Sequence, residues 1–173
     1  NFENSLAPPL VATTRPDTAA RQLQILRIID FDPAGDDQAE HPGKLDLINN
    51  NDSSRGWNTE RYTTSDFGNL KEGVGLIIQL GPPQQIDRMR ISSPSIDWSF
   101  EIFASEDTTG AIQTWGDAVL KREKVSGTVT VDLNGTSAAT LLLWITSLGK
   151  ELPSGGHRVT ISELSVAGRP LYG

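Results

Sequence analysis

From Leu23 onward the apolar residues of this chain come in short runs, and nearly every run is closed by Gly, Pro, Asn, Asp or Ser. That punctuation defeats the sustained 3.6-residue period of an amphipathic helix and makes the class all-β. Residues 23–31 are mostly apolar, as a strand covered on both faces would be. Trp98, Phe100, Ile102 and Ala104 instead alternate with Ser99, Glu101, Phe103 and Ser105, which predicts a strand with one wet face. Val74, Leu76, Ile78 and Leu80 share one side of another strand, which Gly81-Pro82-Pro83 is expected to stop because proline cannot donate to a ladder. Residues 86–91 then read as its hairpin partner, with Met89 and Ile91 inward and Arg88 and Arg90 toward solvent. Val129, Val131 and Leu133 alternate with polar residues, and Asn134-Gly135 supplies the positive φ angles of a tight turn ahead of a strand at 141–146. Near the end, Val159 and Ile161 share a face with which Leu164 and Val166 are out of step, predicting a β-bulge near Ser162-Glu163. Residues 117–122 read equally as a short helical turn or a strand. About eight strands result.

The length of 173 residues suits one domain, large enough to bury about 70% of the surface its unfolded chain exposes. Such a core needs no staples, and there is no cysteine to provide any, which removes disulfides, thiolate metal sites and cysteine nucleophiles together. A formal charge of −7, with scattered basic residues, argues against nucleic acid and anionic lipid as partners. No apolar run reaches the roughly 20 residues that span a bilayer. Residues 1–22, rich in Pro, Ala and Thr, read as a flexible linker, with a short strand at Leu10-Val11-Ala12 as the alternative; residues 23–173 form the domain.

The loop Asp52-Ser53-Ser54-Arg55-Gly56-Trp57-Asn58-Thr59 resembles the signature of galactose-binding, discoidin or coagulation-factor C-type domains. Val74-Gly75-Leu76-Ile77-Ile78-Gln79-Leu80-Gly81 and Ile86-Asp87-Arg88-Met89-Arg90-Ile91 look like that family's next two strands in the right order. Trp98 to Glu106, Trp115 and the terminal segment from Arg158 to Val166 complete the pattern. The resemblance implies a jelly-roll β-sandwich of antiparallel strands. A narrower likeness, carried by Phe31-Asp32-Pro33-Ala34-Gly35-Asp36, Glu60-Arg61-Tyr62 and residues 67–76, is to the extracytoplasmic C-terminal domain of actinobacterial MviN-type, lipid II flippase-like membrane proteins. It implies an extracytoplasmic location, a tether to a membrane segment upstream and a connection with peptidoglycan.

Trp57 could stack on a sugar, but it opens a strand directly after a tight loop, which favours a core role, with its indole N–H served by the polar loop at residues 49–52. Asp52 is suited to hold that loop's amides in an Asx turn. Asp30, Asp32, Asp36 and Asp37, with Glu40 nearby, offer the oxygen-rich character that calcium prefers; the alternative is a solvated acidic loop. Arg55, Arg61 and Tyr62 are the candidate ligand-binding set, able to meet carboxylates or sugar hydroxyls and to stack; the alternative is ordinary surface charge. His41 and His157 lack a second ligand at zinc spacing, no nucleophile elbow or phosphate loop is present, and Asn51-Asp52-Ser53 and Asn134-Gly135-Thr136 match the glycosylation pattern of secreted eukaryotic proteins. The expected function is a non-catalytic binding module for a cell-wall carbohydrate. The alternatives are a spacer that docks on a membrane-protein partner, and an accessory carbohydrate-binding domain of a secreted glycosidase.

Overall fold

The computed structural model describes residues 19–107 and 115–171. Their strands are β1 (Arg21–Gln22), β2 (Arg27–Phe31), β3 (Trp57–Asn58), β4 (Val74–Ser105), β5 (Leu120–Ser147), β6 (Thr160–Ile161) and β7 (Glu163–Pro170). Two 3-10 turns, Pro42–Leu47 and Phe67–Asn69, are the helical elements among the described residues. The alternative strand at Leu10 to Ala12 lies outside them. Residues 117–122 resolve as the entry to β5 rather than as a helical turn. Arg21 and Gln22, read as the end of a linker, pair with Gly168 and Ala167 of β7.

β4 and β5 are too long to lie in one flat sheet, and both bend from one layer into the other. Residues 74–79 pair with 140–145, residues 84–93 with 127–138, and residues 98–102 with 120–125. Residues 99–105 also pair with 140–147 on that segment's other side. One layer therefore runs β2, 74–79, 140–147, 99–105, 120–125, and the other β1, β7, 84–93, 127–138. Between them lies one core, with Leu76, Ile78, Phe100, Ile102, Leu141 and Leu143 facing Ile86, Met89, Ile91, Val131, Leu164 and Val166, all buried. The inward Met89 and Ile91 and the exposed Arg88 and Arg90 match the alternation expected of them.

Three details depart from the sequence expectation. Gly81-Pro82-Pro83 does not end a strand, and residues 86–91 are not the hairpin partner of 74–80. The ladder lapses between Gln79 and Gln84, then resumes with β5 in shifted register. Proline removes a donor, but its φ suits extended backbone, so the chain bends across the layers instead of reversing. Asn134 and Gly135 do have positive φ, 51° and 74°. They form a bulge rather than a turn, because Arg88 faces Asp132 and Ile86 faces Thr136, leaving more residues on β5 than on β4. β2 is an edge strand, half-buried rather than covered on both faces.

The break expected near Ser162-Glu163 is present, and it is where the chain changes partners. β6 pairs with β3, whereas β7 pairs with β1 and β4. Asn49 holds the crossing: its Nδ2 donates to the Leu164 carbonyl (2.9 Å), its Oδ1 accepts from the Leu164 amide (2.8 Å), and its own amide donates to the Ser162 carbonyl (3.0 Å). Phe31 stands opposite Gly75, Val74 opposite Ile145 and Ser99 opposite Ser147. The segments 32–73 and 148–158, together with the stretch of β4 at 94–98 where its ladder shifts register, consequently gather at one end of the sandwich.

Candidate functional site

The loop after β2 is acidic, and its local bonds decide which carboxylates face inward. Asp30 Oδ2 accepts from the Glu40 amide (2.6 Å) and Asp37 Oδ1 from the Ala39 amide (3.1 Å), closing the loop on itself. Gly35 folds directly over the Asp32 carboxylate, where a Cβ would lie 2.3 Å from Asp32 Oδ2. Asp32 is thereby 2% exposed and Glu40 fully buried.

Two buried carboxylates require compensation. Lys71 Nζ lies 2.5 Å from Asp32 Oδ2 and 3.9 Å from Glu40 Oε2, and 5.3 Å from the centre of the Tyr62 ring. Glu40 Oε1 accepts from the Glu60 amide (2.5 Å), and the Tyr62 hydroxyl lies 3.1 Å from Glu40 Oε2. Trp57 Nε1 donates to the Glu40 carbonyl at 2.6 Å. Glu40 thus ties the acidic loop to β3 and to the segment after it.

One cation beside two carboxylates leaves a surplus negative charge, and the protonation of Glu40 absorbs it. Burial raises its pKa from 4.5 to about 7, against the lowering effect of the Glu60 amide, the Tyr62 hydroxyl and Lys71. A hydroxyl both donates and accepts, so the Tyr62 contact survives either state of Glu40. Lys71 moves up: burial alone would lower it, but the bonds to Asp32 and Tyr62 outweigh that and keep it charged. The folded chain retains a proton on Glu40 that the unfolded chain loses near pH 4.5. The associated stability is complete below pH 4.5 and disappears as pH rises to about 7. Unfolding free energy is therefore expected to be higher at pH 5 than at pH 8 by a few kcal/mol. Urea titrations at the two pH values check this, and Glu40→Gln should flatten the difference.

Outside this buried network lies a hollow of about 590 Å³, lined by Asp32, Gly35, Asp36, Asp37, Glu60, Tyr62, Leu70 and Lys71 among others. Its rim carries the exposed carboxylates of Asp36, Asp37 and Glu60, and Leu70, 77% exposed, gives it an apolar side. Asp32 Oδ1 is buried there with no hydrogen-bond partner.

The residues singled out in the sequence are distributed unevenly around this hollow. Tyr62 lines it, but as a buried wall whose ring packs edge-on against Phe67, with centroids 5.1 Å apart, rather than as a free stacking platform. Arg61 points away, its Nη2 donating to Ser154 Oγ (3.2 Å), and Arg55 sits exposed on the Asp52 turn; neither lines the hollow. Of the proposed calcium ligands, Asp30 is engaged by the Glu40 amide, Asp32 by Lys71 and Asp37 by the Ala39 amide. Among the described residues no group of three or more His, Cys, Asp or Glu side chains is arranged to hold a metal ion. The Asx turn is present, with Ser54 N (3.1 Å) and Ser54 Oγ (2.5 Å) donating to Asp52 Oδ1. Those two bonds lower the Asp52 pKa. Trp57 is fully buried as expected, but its indole partner is the Glu40 carbonyl and not the loop at 49–52, because burial turns the ring toward the acidic loop. His41 and His157 each place Nδ1 2.8 Å from a backbone carbonyl, of Asn58 and Gly149. Glu60, Leu70 and Lys71 entered the sequence reading only within the segments that carry the narrower family likeness and not as site candidates, because their own pattern does not distinguish them from surface residues.

No family model matches the chain. Solved structures resemble it closely in fold and distantly in sequence. A truncated AlyQ with CBM32 and alginate lyase domains superposes with a TM-score of 0.59 at 12% identity, over 88% of this chain and 34% of that one. This chain thus spans about a third of that protein's length. The CBM32 of AlyQ alone, in complex with 4,5-unsaturated mannuronic acid, gives 0.58 at 12% identity, covering 84% of this chain and 97% of that one. Chitosan-binding module 1 from a chitosanase/glucanase of Paenibacillus sp. IK-5 gives 0.57 at 16% identity, with 84% and 96% covered. The fold is therefore a jelly-roll β-sandwich, shared with these modules.

Proposed function

We propose that this domain is a non-catalytic glycan-binding module whose site is the acidic hollow, and that it selects sugars bearing a free amine. The observation that carries the reading is the hollow's composition: Asp36, Asp37 and Glu60 line it together with an apolar Leu70, while Lys71, the one cation lining it among the described residues, is committed to Asp32. Exposed carboxylates attract an ammonium and accept from hydroxyls, and an apolar side chain covers the C–H face of a sugar ring. The fold shared with a chitosan-binding module supports the same reading. The domain would act outside the cytoplasmic membrane, tethered upstream and working in connection with the cell wall, as its likeness to MviN-type domains suggests.

The test is a titration with glucosamine trimer, its fully N-acetylated counterpart and a muropeptide, followed by calorimetry. The free-amine trimer should bind at least tenfold more tightly than the acetylated one, and Asp36→Asn with Asp37→Asn should cost roughly tenfold in affinity, the worth of one charge-assisted bond. Equal binding of both trimers would remove the amine preference, and no binding of any probe at millimolar concentration would remove the glycan reading. Periplasmic or surface exposure of the full-length protein, probed by protease accessibility in intact cells, tests the location.

A further inference from the structure

A second cleft, of about 220 Å³, opens at the same end of the sandwich between residues 94–96 and the loop 150–158. Its character is opposite to that of the acidic hollow. Pro94, Ile96, Leu152 and Pro153 make it apolar, and Lys150 and Arg158 supply positive charge. Ile96 is 50% exposed although its backbone is fixed. The Lys150 amide donates to the Ile96 carbonyl (2.9 Å), and Gly149 packs so closely that a Cβ there would lie 2.3 Å from the same oxygen. The other wall is closed by Leu152 N to the Gly156 carbonyl (2.8 Å), Gly155 N to the Leu152 carbonyl (2.9 Å) and the His157 ring to the Gly149 carbonyl (2.8 Å). The cleft is thus preformed, so a ligand need not order its walls.

Its cations are also uncommitted. Arg158 Nε is buried with no hydrogen-bond partner. Among the described residues neither Lys150 nor Arg158 forms an ion pair, even with Glu151 on the same rim. Neither cation therefore has an ion-pair partner among the described residues to give up when an anion enters the cleft.

We propose that this cleft is a second binding site, for a carboxylate-bearing sugar. The apolar face of a hexuronate ring would rest on Ile96 and Leu152, and its carboxylate would meet Arg158 and Lys150. Guanidinium matches carboxylate geometry, whereas a neutral sugar leaves both cations unpaired.

The test follows backbone amides of the whole chain by NMR during titration with glucuronate, glucose and glucosamine trimer. Glucuronate should shift the Ile96, Lys150 and Leu152 amides at millimolar concentration, with glucose at least tenfold weaker. Arg158→Gln and Lys150→Gln should each weaken glucuronate about tenfold and leave the response of the acidic hollow to glucosamine unchanged. Lys150 is exposed, so its variant keeps the test valid if Arg158→Gln disturbs folding. Equal shifts from glucose, no shift up to about 50 mM glucuronate, or an undiminished response in Lys150→Gln would each overturn the proposal. Silence of the hollow toward glucosamine, with the cleft still answering glucuronate, would refute the amine-selective site alone.

Discussion

Replacing Lys71 with methionine is expected to lower the unfolding free energy by about 3–5 kcal/mol at pH 8, measured by urea denaturation. The side chain is 8% exposed and its ammonium is the cation closest to two carboxylates that are 2% and 0% exposed. Without it, Asp32 and Glu40 face each other at pH 8 as uncompensated buried charges, and Glu40 escapes that only by taking up a proton, since losing the nearby cation raises its pKa further. The loss should shrink toward pH 5, where a proton on Glu40 removes one of the two charges. Adding Asp32→Asn and Glu40→Gln to Lys71→Met should recover much of the stability, since removing a whole buried network is far less costly than breaking it. A loss below about 1 kcal/mol in the single variant would place the pair in the class of solvated surface bridges and refute the buried-network account.

Trp57→Ala is expected to cost a similar amount, about 3–5 kcal/mol, as large-to-small substitutions of buried aromatic residues do. Trp57 is fully buried, opens β3 opposite Ile161 and donates its indole N–H to the Glu40 carbonyl. Trp57→Phe separates the contributions. It keeps most of the volume but leaves that carbonyl without its donor, so it should cost about 1–3 kcal/mol. If alanine and phenylalanine cost the same, packing would not be the dominant contribution. A loss of glycan binding in Trp57→Phe at full stability would instead restore a direct ligand role.

Alternation made the inward faces legible: Met89 and Ile91 against Arg88 and Arg90, and Trp98, Phe100 and Ile102 against their polar neighbours, all lie as a period of two requires. The Asx turn at Asp52 and the break at Ser162 were legible for the same reason, since both follow from local chemistry. The long bent strands were not. Gly81-Pro82-Pro83 and Asn134-Gly135 carry the same residues whether the chain reverses or merely bends, and the choice rests on partners supplied by β5 and β7.

The polar loop before Trp57 and the acidic run after β2 were both visible in the sequence, but their roles were assigned by contacts across the fold. Local chemistry predicts that Asp52 closes a turn and that Trp57 is buried, because those outcomes depend on neighbours within a few residues and on apolar area. That Glu40 holds the indole, that Lys71 lies between Asp32 and Glu40, and that Arg55 and Arg61 stand away from the hollow depend on residues 17 to 39 positions apart meeting at one end of the sandwich. Residue pattern alone specifies an all-β chain with a turn-rich, acidic end. Which charges there are buried and compensated, and which stay free, depends on how the layers pack, because burial and pairing are properties of the assembled fold and not of any segment.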